Sequence, residues 1–172
     1  MKHICFFTGN RAIPANKYDI IHTTIKTMCS QLIEQSDVTD FICGGALGFD
    51  MLAEETILEL KSQYPHIKLH LFLPCRNQTD KWNSSLKAKY EYILSKADSI
   101  KYTTNGPYTD GCMQKRNRAM ADTAQFGIAY CDRYKSGAYS TVNYAVKRGR
   151  FVTLITSHDE LFDNNLFNII KI

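Results

Sequence analysis

Four prolines and nine glycines in 172 residues are too few for a collagenous or low-complexity chain. No window approaches the roughly 18 consecutive apolar residues of a membrane-spanning helix, so a helical membrane protein is excluded and no membrane partner is expected. The cysteines Cys5, Cys29, Cys43, Cys75, Cys112 and Cys131 form no Cys-x-x-Cys pair. Spread evenly over this length, they do not make the dense framework of a small secreted domain. Met1-Lys2-His3 leads straight into a strand-like run rather than into the long apolar region of a signal peptide. The expectation is a reduced, cytoplasmic, soluble protein. Charge of one sign is also scarce: 21 Lys+Arg against 17 Asp+Glu leave +4, well short of a polybasic nucleic-acid binder. The histidines are scattered, so neither a metal site nor a resident cofactor is expected, and no Ser/His/Asp or Cys/His nucleophilic arrangement can be read.

What the chain does have is regular alternation. Ile4–Thr8, Phe41–Cys43, Ile67–Leu73, Ser99–Tyr102, Gln125–Cys131 and Phe151–Ile155 read as strands, the Ser99 run weakly. Between them, Tyr18–Gln35, Leu52–Leu60, Lys81–Ala97, Met113–Thr123 and Tyr139–Arg148 carry helical apolar stripes, such as Ile21, Ile25, Met28, Leu32 and Ile33. Strand-helix alternation of this kind predicts an α/β fold in three layers: a mostly parallel sheet with helices on both faces. No composition break divides the chain, so residues 1–172 are expected to be one domain, with the tail 156–172 unassigned.

In open sheets of this class, ligands bind outside the carboxyl ends of the strands, so the residues just after each strand are the informative ones. After the first come Thr8-Gly9-Asn10-Arg11. After the second comes Gly44-Gly45-Ala46-Leu47-Gly48-Phe49-Asp50, opening a helix. Glycine lets a backbone approach closely, and a helix N-terminus offers N–H groups to an anion; a tight turn without ligand needs the same residues. Further candidates are Arg76, which reaches phosphate or only solvent, and Trp82, which stacks on a base or only packs a helix. A basic run, Lys115-Arg116-Asn117-Arg118, and a helix start at Gly137 with Ser140 and Thr141 complete the edge. Asp50 either bonds a ribose hydroxyl or serves as a favourable charge at a helix N-terminus.

Taken in order, these pieces resemble the SLOG superfamily, named for Smf/DprA and the lonely-guy proteins, and within it the YpsA-like branch of small bacterial and phage proteins. The resemblance rests on Thr8-Gly9-x-Arg11, Gly44-Gly45-Ala46-x-Gly48-x-Asp50, Pro74-Cys75-Arg76-x-Gln78 with Trp82, Cys112-Met113-x-x-Arg116-Asn117-Arg118, and Thr141-Val142-x-Tyr144-Ala145. It implies a Rossmann-like fold that holds a nucleotide or nucleotide-derived ligand. Thr8, Gly9, Arg11, Gly44, Gly45, Gly48, Gly137, Ser140 and Thr141 would cradle phosphate or ribose, with Ala46, Asp50, Arg76, Trp82 and Asn117 beside them and Arg116 countering charge. Pairing of two copies through helices also fits the resemblance.

The lonely-guy enzymes cleave base from nucleoside monophosphate with a Met-x-x-Arg helix and a Pro-Gly-Gly-x-Gly-Thr-x-x-Glu loop. Met113 to Arg116 matches the first, but in the second the Glu position is Tyr144, which carries no negative charge at neutral pH. Phosphoribohydrolase chemistry would then need Arg116 and a relocated carboxylate: Asp50, Glu54 or Asp122. The leading expectation is a binding protein for a phosphorylated nucleotide-like small molecule. An N-glycosidase is the second reading. Single-stranded DNA binding is the third, disfavoured here by the small net charge.

Overall fold

The computed structural model describes residues 3–158 and 167–172. Its strands are β1 (His3–Gly9), β2 (Val38–Cys43), β3 (Lys68–Leu73), β4 (Ser99–Tyr102), β5 (Phe126–Tyr130), β6 (Phe151–Thr156) and β7 (Asn168–Lys171). Its helices are α1 (Tyr18–Ser36), preceded by a 3-10 turn at Ala15–Lys17, then α2 (Phe49–Leu60), α3 (Ser84–Lys96), α4 (Cys112–Thr123) and α5 (Gly137–Lys147). All strands join one parallel sheet in the order β4-β3-β2-β1-β5-β6-β7.

That order explains the layers. From β1 the chain adds strands outward to β4; then α4 carries it back across the sheet to β5, on the other side of β1. Right-handed crossovers running in opposite directions put their helices on opposite faces. Accordingly α1, α2 and α3 bury Ile21, Ile25, Leu52, Ile57 and Ile93 against Phe7, Phe41 and Leu71. On the other face, Met120, Ala121, Val142 and Ala145 of α4 and α5 pack on Phe6, Ile42 and Leu154. β1 lies at the centre, and its Cys5, Phe6 and Phe7 are fully buried, which is why it reads as an unbroken apolar run.

Three expectations shift. α3 begins at Ser84 rather than Lys81, because Asn83 caps it by accepting the Leu86 N–H at 2.9 Å. α2 and α5 begin earlier than their apolar stripes suggest, because a glycine and a serine provide their starts. Gly48 takes a positive φ of 78°, and Ser136 caps α5 by accepting the Tyr139 N–H at 3.1 Å. The tail supplies an additional edge strand, β7, paired to β6 from Thr153↔Asn168 to Thr156↔Lys171. Its four residues are exposed or half-buried, so no apolar pattern announces it; residues 159–166 lie outside the described residues. All six cysteines are free and buried, and burial pushes the Cys29 and Cys43 thiols well up, making them inert core groups. Among the described residues no helix is long and apolar enough to cross a membrane.

Candidate functional site

The direction of strand addition reverses between β1 and β5, and the loops that leave the carboxyl ends of those two strands enclose a cleft of about 770 Å³. Asn10 builds its floor. Its backbone N–H donates to the Tyr130 carbonyl (3.1 Å) and its carbonyl accepts from the Phe49 N–H (3.2 Å). Its side-chain Oδ1 accepts the Asp132 N–H (2.7 Å), and its Nδ2 donates to Ser136 Oγ (3.3 Å). One asparagine thus clasps the loops after β1 and β5 and the start of α2.

On the β5 side, Asp132 organises the wall. Oδ1 accepts from the Ser157 N–H (2.6 Å) and the Thr156 hydroxyl (3.0 Å). Oδ2 accepts from the Ser157 hydroxyl (2.6 Å), Tyr130 OH (2.9 Å) and Lys17 Nζ (3.1 Å). Burial opposes ionisation of this carboxyl, but those donors outweigh it and hold Asp132 well below the usual carboxylate range. Gly137 and Ala138, the first turn of α5, open onto the cleft, and the first N–H groups of a helix have no partner within it. Arg11, Arg133, Lys135 and His158 complete this wall. Among the described residues Arg11, Arg133 and Lys135 take part in no ion pair, whereas Lys17 is matched by Asp132.

The β2 side is closed. Arg116, 4% exposed, donates through Nη1 to the Gly44 carbonyl and through Nε to Asn117 Oδ1 (2.7 Å). Asn117 Nδ2 in turn donates to the Thr141 hydroxyl (2.9 Å), which donates to the Gly137 carbonyl (2.7 Å), so α4 is pinned to the start of α5. Two buried carboxylates lie behind the glycines: Asp50 Oδ2 accepts the Ala46 N–H (3.4 Å) and Glu54 Oε1 accepts the Gly45 N–H (2.9 Å). Burial raises both pKa values; Arg116 opposes the rise at Asp50, and Asp50 itself pushes Glu54 higher, well above the usual range. Burial likewise lowers Arg116, against the pull of the two carboxylates. Glu54 Oε2 is buried without a hydrogen-bond partner among the described residues, which a neutral carboxyl tolerates far better than an ionised one.

The glycines here make room for protein. A Cβ on Gly44 would overlap the Arg116 guanidinium and lie 2.6 Å from Asp50 Oδ2, and one on Gly48 would strike the backbone of Arg11.

Of the residues expected at the site, the cleft brings together Thr8, Gly9, Arg11, Ala46, Asp50, Arg116, Asn117 and Gly137. Gly44, Gly45, Gly48, Glu54 and Thr141 sit behind its wall as packing and hydrogen-bonding elements. Ser140 is exposed on α5 and does not line the cleft. Arg76 turns away: its guanidinium lies 3.7 Å over the Tyr102 ring and donates to Asn105 Oδ1 (3.1 Å). Trp82 lines a neighbouring basin. Asp122 accepts from Tyr144 OH (2.9 Å) and Arg148 Nε (3.0 Å) on the outer side of α4 and α5, so neither Asp122 nor Tyr144 faces the cleft. Asn10, Lys17, Asp132, Arg133, Lys135, Ser157 and His158 were not anticipated. Position after β5 and β6 was the available signal for all but Asn10 and Lys17; Asn10 stood in the post-β1 run, and nothing local marks Lys17.

Comparison with known proteins follows the same lines. The prophage-derived protein YoqJ of Bacillus subtilis is 35% identical over 128 residues, 68% of this chain and 75% of YoqJ. DNA processing protein A of Helicobacter pylori, described for its single-stranded DNA binding mode, superposes with a TM-score of 0.65 at 19% identity, over 92% of this chain and 67% of that one. A molybdenum cofactor binding protein of Rippkaea orientalis superposes with a TM-score of 0.59 at 17% identity, over 99% of this chain and 88% of that one. At these identities the two structures speak for the Rossmann-like fold alone. The YspA SLOG family model matches residues 4–159, and the chain belongs to that family.

Proposed function

We propose that the protein binds a phosphorylated nucleotide or nucleotide derivative in the cleft between β1 and β5, and senses or sequesters it rather than converting it. The observation that carries this reading is the set of cations that form no ion pair among the described residues, Arg11, Arg133 and Lys135, gathered with the opening turn of α5 around one cleft. Unpaired cations and a helix N-terminus both favour a dianion such as phosphate. DNA processing protein A and the molybdenum cofactor binding protein, which share this fold, are each described by a ligand they bind, in keeping with a binding role. Binding is favoured over glycosidic cleavage by the carboxylates: Asp132 is saturated with donors, Asp50 is buried beside Arg116, and Glu54 and Asp122 lie off the cleft.

The test is calorimetry and thermal denaturation against a panel of nucleoside monophosphates and their parent nucleosides. A ligand at 100 times its Kd stabilises the fold by about 2.7 kcal/mol. Nucleotides are expected to bind and nucleosides to bind at least about tenfold more weakly, and the surface double variant Arg133→Ala/Lys135→Ala to lose about tenfold in nucleotide affinity with its melting temperature unchanged. Equal binding of nucleosides, or an unaffected double variant, overturns the reading.

A further inference from the structure

A second basin of about 410 Å³ adjoins the first, and Arg11 and Met113 line both, so the two share one threshold. Their chemistries differ. The first is rich in cations. The second has, besides the charged residues Asp80 and Lys81, the rings of Trp82 and Tyr108 and the side-chain amides of Asn77 and Gln78. Its wall is fixed in place: Asn77 Oδ1 accepts the Tyr108 N–H (2.7 Å), tying the loop after β3 to the loop after β4, and Trp82 packs edge-to-face with Tyr90, ring centroids 5.4 Å apart. Gln78 spends its amide N–H groups on the Gly45 carbonyl (3.2 Å) and Tyr90 OH (2.9 Å), which leaves its carbonyl oxygen as an acceptor. Aromatic rings with a fixed acceptor suit a nucleobase, which offers a π-face and donors along its edge.

Each basin falls by itself within the ~300–1,000 Å³ of small-molecule sites. Each therefore has room for a nucleoside unit of its own, and the pair together has room for more than one mononucleotide. We infer that the ligand has two ring systems joined through phosphate, a dinucleotide-like molecule, with its phosphates among the cations of the first basin and one base against Trp82 and Tyr108 in the second. This rests on the nucleotide-binding reading and deepens it.

Trp82 is the only tryptophan, so its fluorescence reports on the second basin alone. The full chain is titrated with mononucleotides of the common bases, with the 5′-phosphorylated dinucleotides of the same bases, and with longer single strands, following emission and calorimetry in parallel. The expected result is that a dinucleotide changes Trp82 emission and binds about tenfold or more tighter than the corresponding mononucleotide, the gain expected of one stacked base. Tyr108→Ala, at a residue 54% exposed, and Trp82→Phe should each reduce that gain and leave mononucleotide affinity unchanged. If mononucleotides bind while no dinucleotide binds more tightly or alters emission, the inference fails and the nucleotide-binding reading stands. If longer strands bind progressively more tightly than dinucleotides, the ligand is a strand and the inference fails in favour of single-stranded nucleic acid. If no nucleotide of any length binds, the underlying reading falls and the inference with it.

Discussion

The two walls of the cleft use polar side chains in opposite ways. On the β2 side, Arg116, Asp50 and Glu54 are withdrawn from water: Arg116 donates to the Gly44 carbonyl and to Asn117, and the two carboxyls accept amides of the glycine-rich turn. On the β5 and β6 side, Asp132, Lys17 and Ser157 form an ordered but accessible network, with Arg133 and Lys135 beyond it. The first is architecture that carries buried polar groups; the second is the surface proposed to meet a ligand. A glycine-rich turn after a strand can therefore mark how tightly loops must pack as readily as where a phosphate sits.

Three substitutions test that contrast. The largest effect is expected from Arg116→Met, which leaves Asp50 and Glu54 buried without their cation and should cost about 3–5 kcal/mol in urea denaturation. A variant of near wild-type stability would show that Arg116 is a ligand group rather than part of the frame. Next, Asp132→Asn should cost about 1–3 kcal/mol through its disrupted donors. It should also flatten the acid limb of stability. The folded pKa of Asp132 is depressed, so its contribution is present above the ordinary value of 3.8 and is lost as pH falls below it. The smallest effect, and of opposite sign, belongs to Glu54→Gln. The folded pKa of Glu54 is raised, so its contribution is full below the ordinary value of 4.5 and declines as pH rises from there toward the folded value. The variant should match wild type near pH 4 and lose less stability toward neutrality; parallel curves would show that Glu54 is ionised in the folded protein.

How legible the molecule is varies along the chain for physical reasons. β1 announces itself because both of its faces are buried, whereas β4 and β7 are short edge strands with exposed or half-buried residues. At the site, Thr8, Gly9, Arg11, Arg116 and Gly137 are legible because they lie at the end of a strand, in the loop after it, or in the first turns of the helix that comes next. Arg76 also follows a strand yet is captured by Tyr102 and Asn105, and the choice between cleft and neighbour depends on residues 26 and 29 positions away. Lys17 was invisible because its role exists only once Asp132, 115 residues later, lies beside it.

The sequence by itself determined the alternation of strand and helix, hence the parallel sheet, and with it the edge at which a ligand can sit. Hydrophobic periodicity and glycine starts are local properties that a short stretch of chain expresses alone. Only the tertiary structure decided which loops meet at that edge, which cations form no ion pair there among the described residues, and that a basin holding Trp82 and Tyr108 opens beside the first. Those outcomes depend on contacts such as Asn10 with Asp132, 122 residues apart, which form only when β5 pairs with β1 on the side opposite β2.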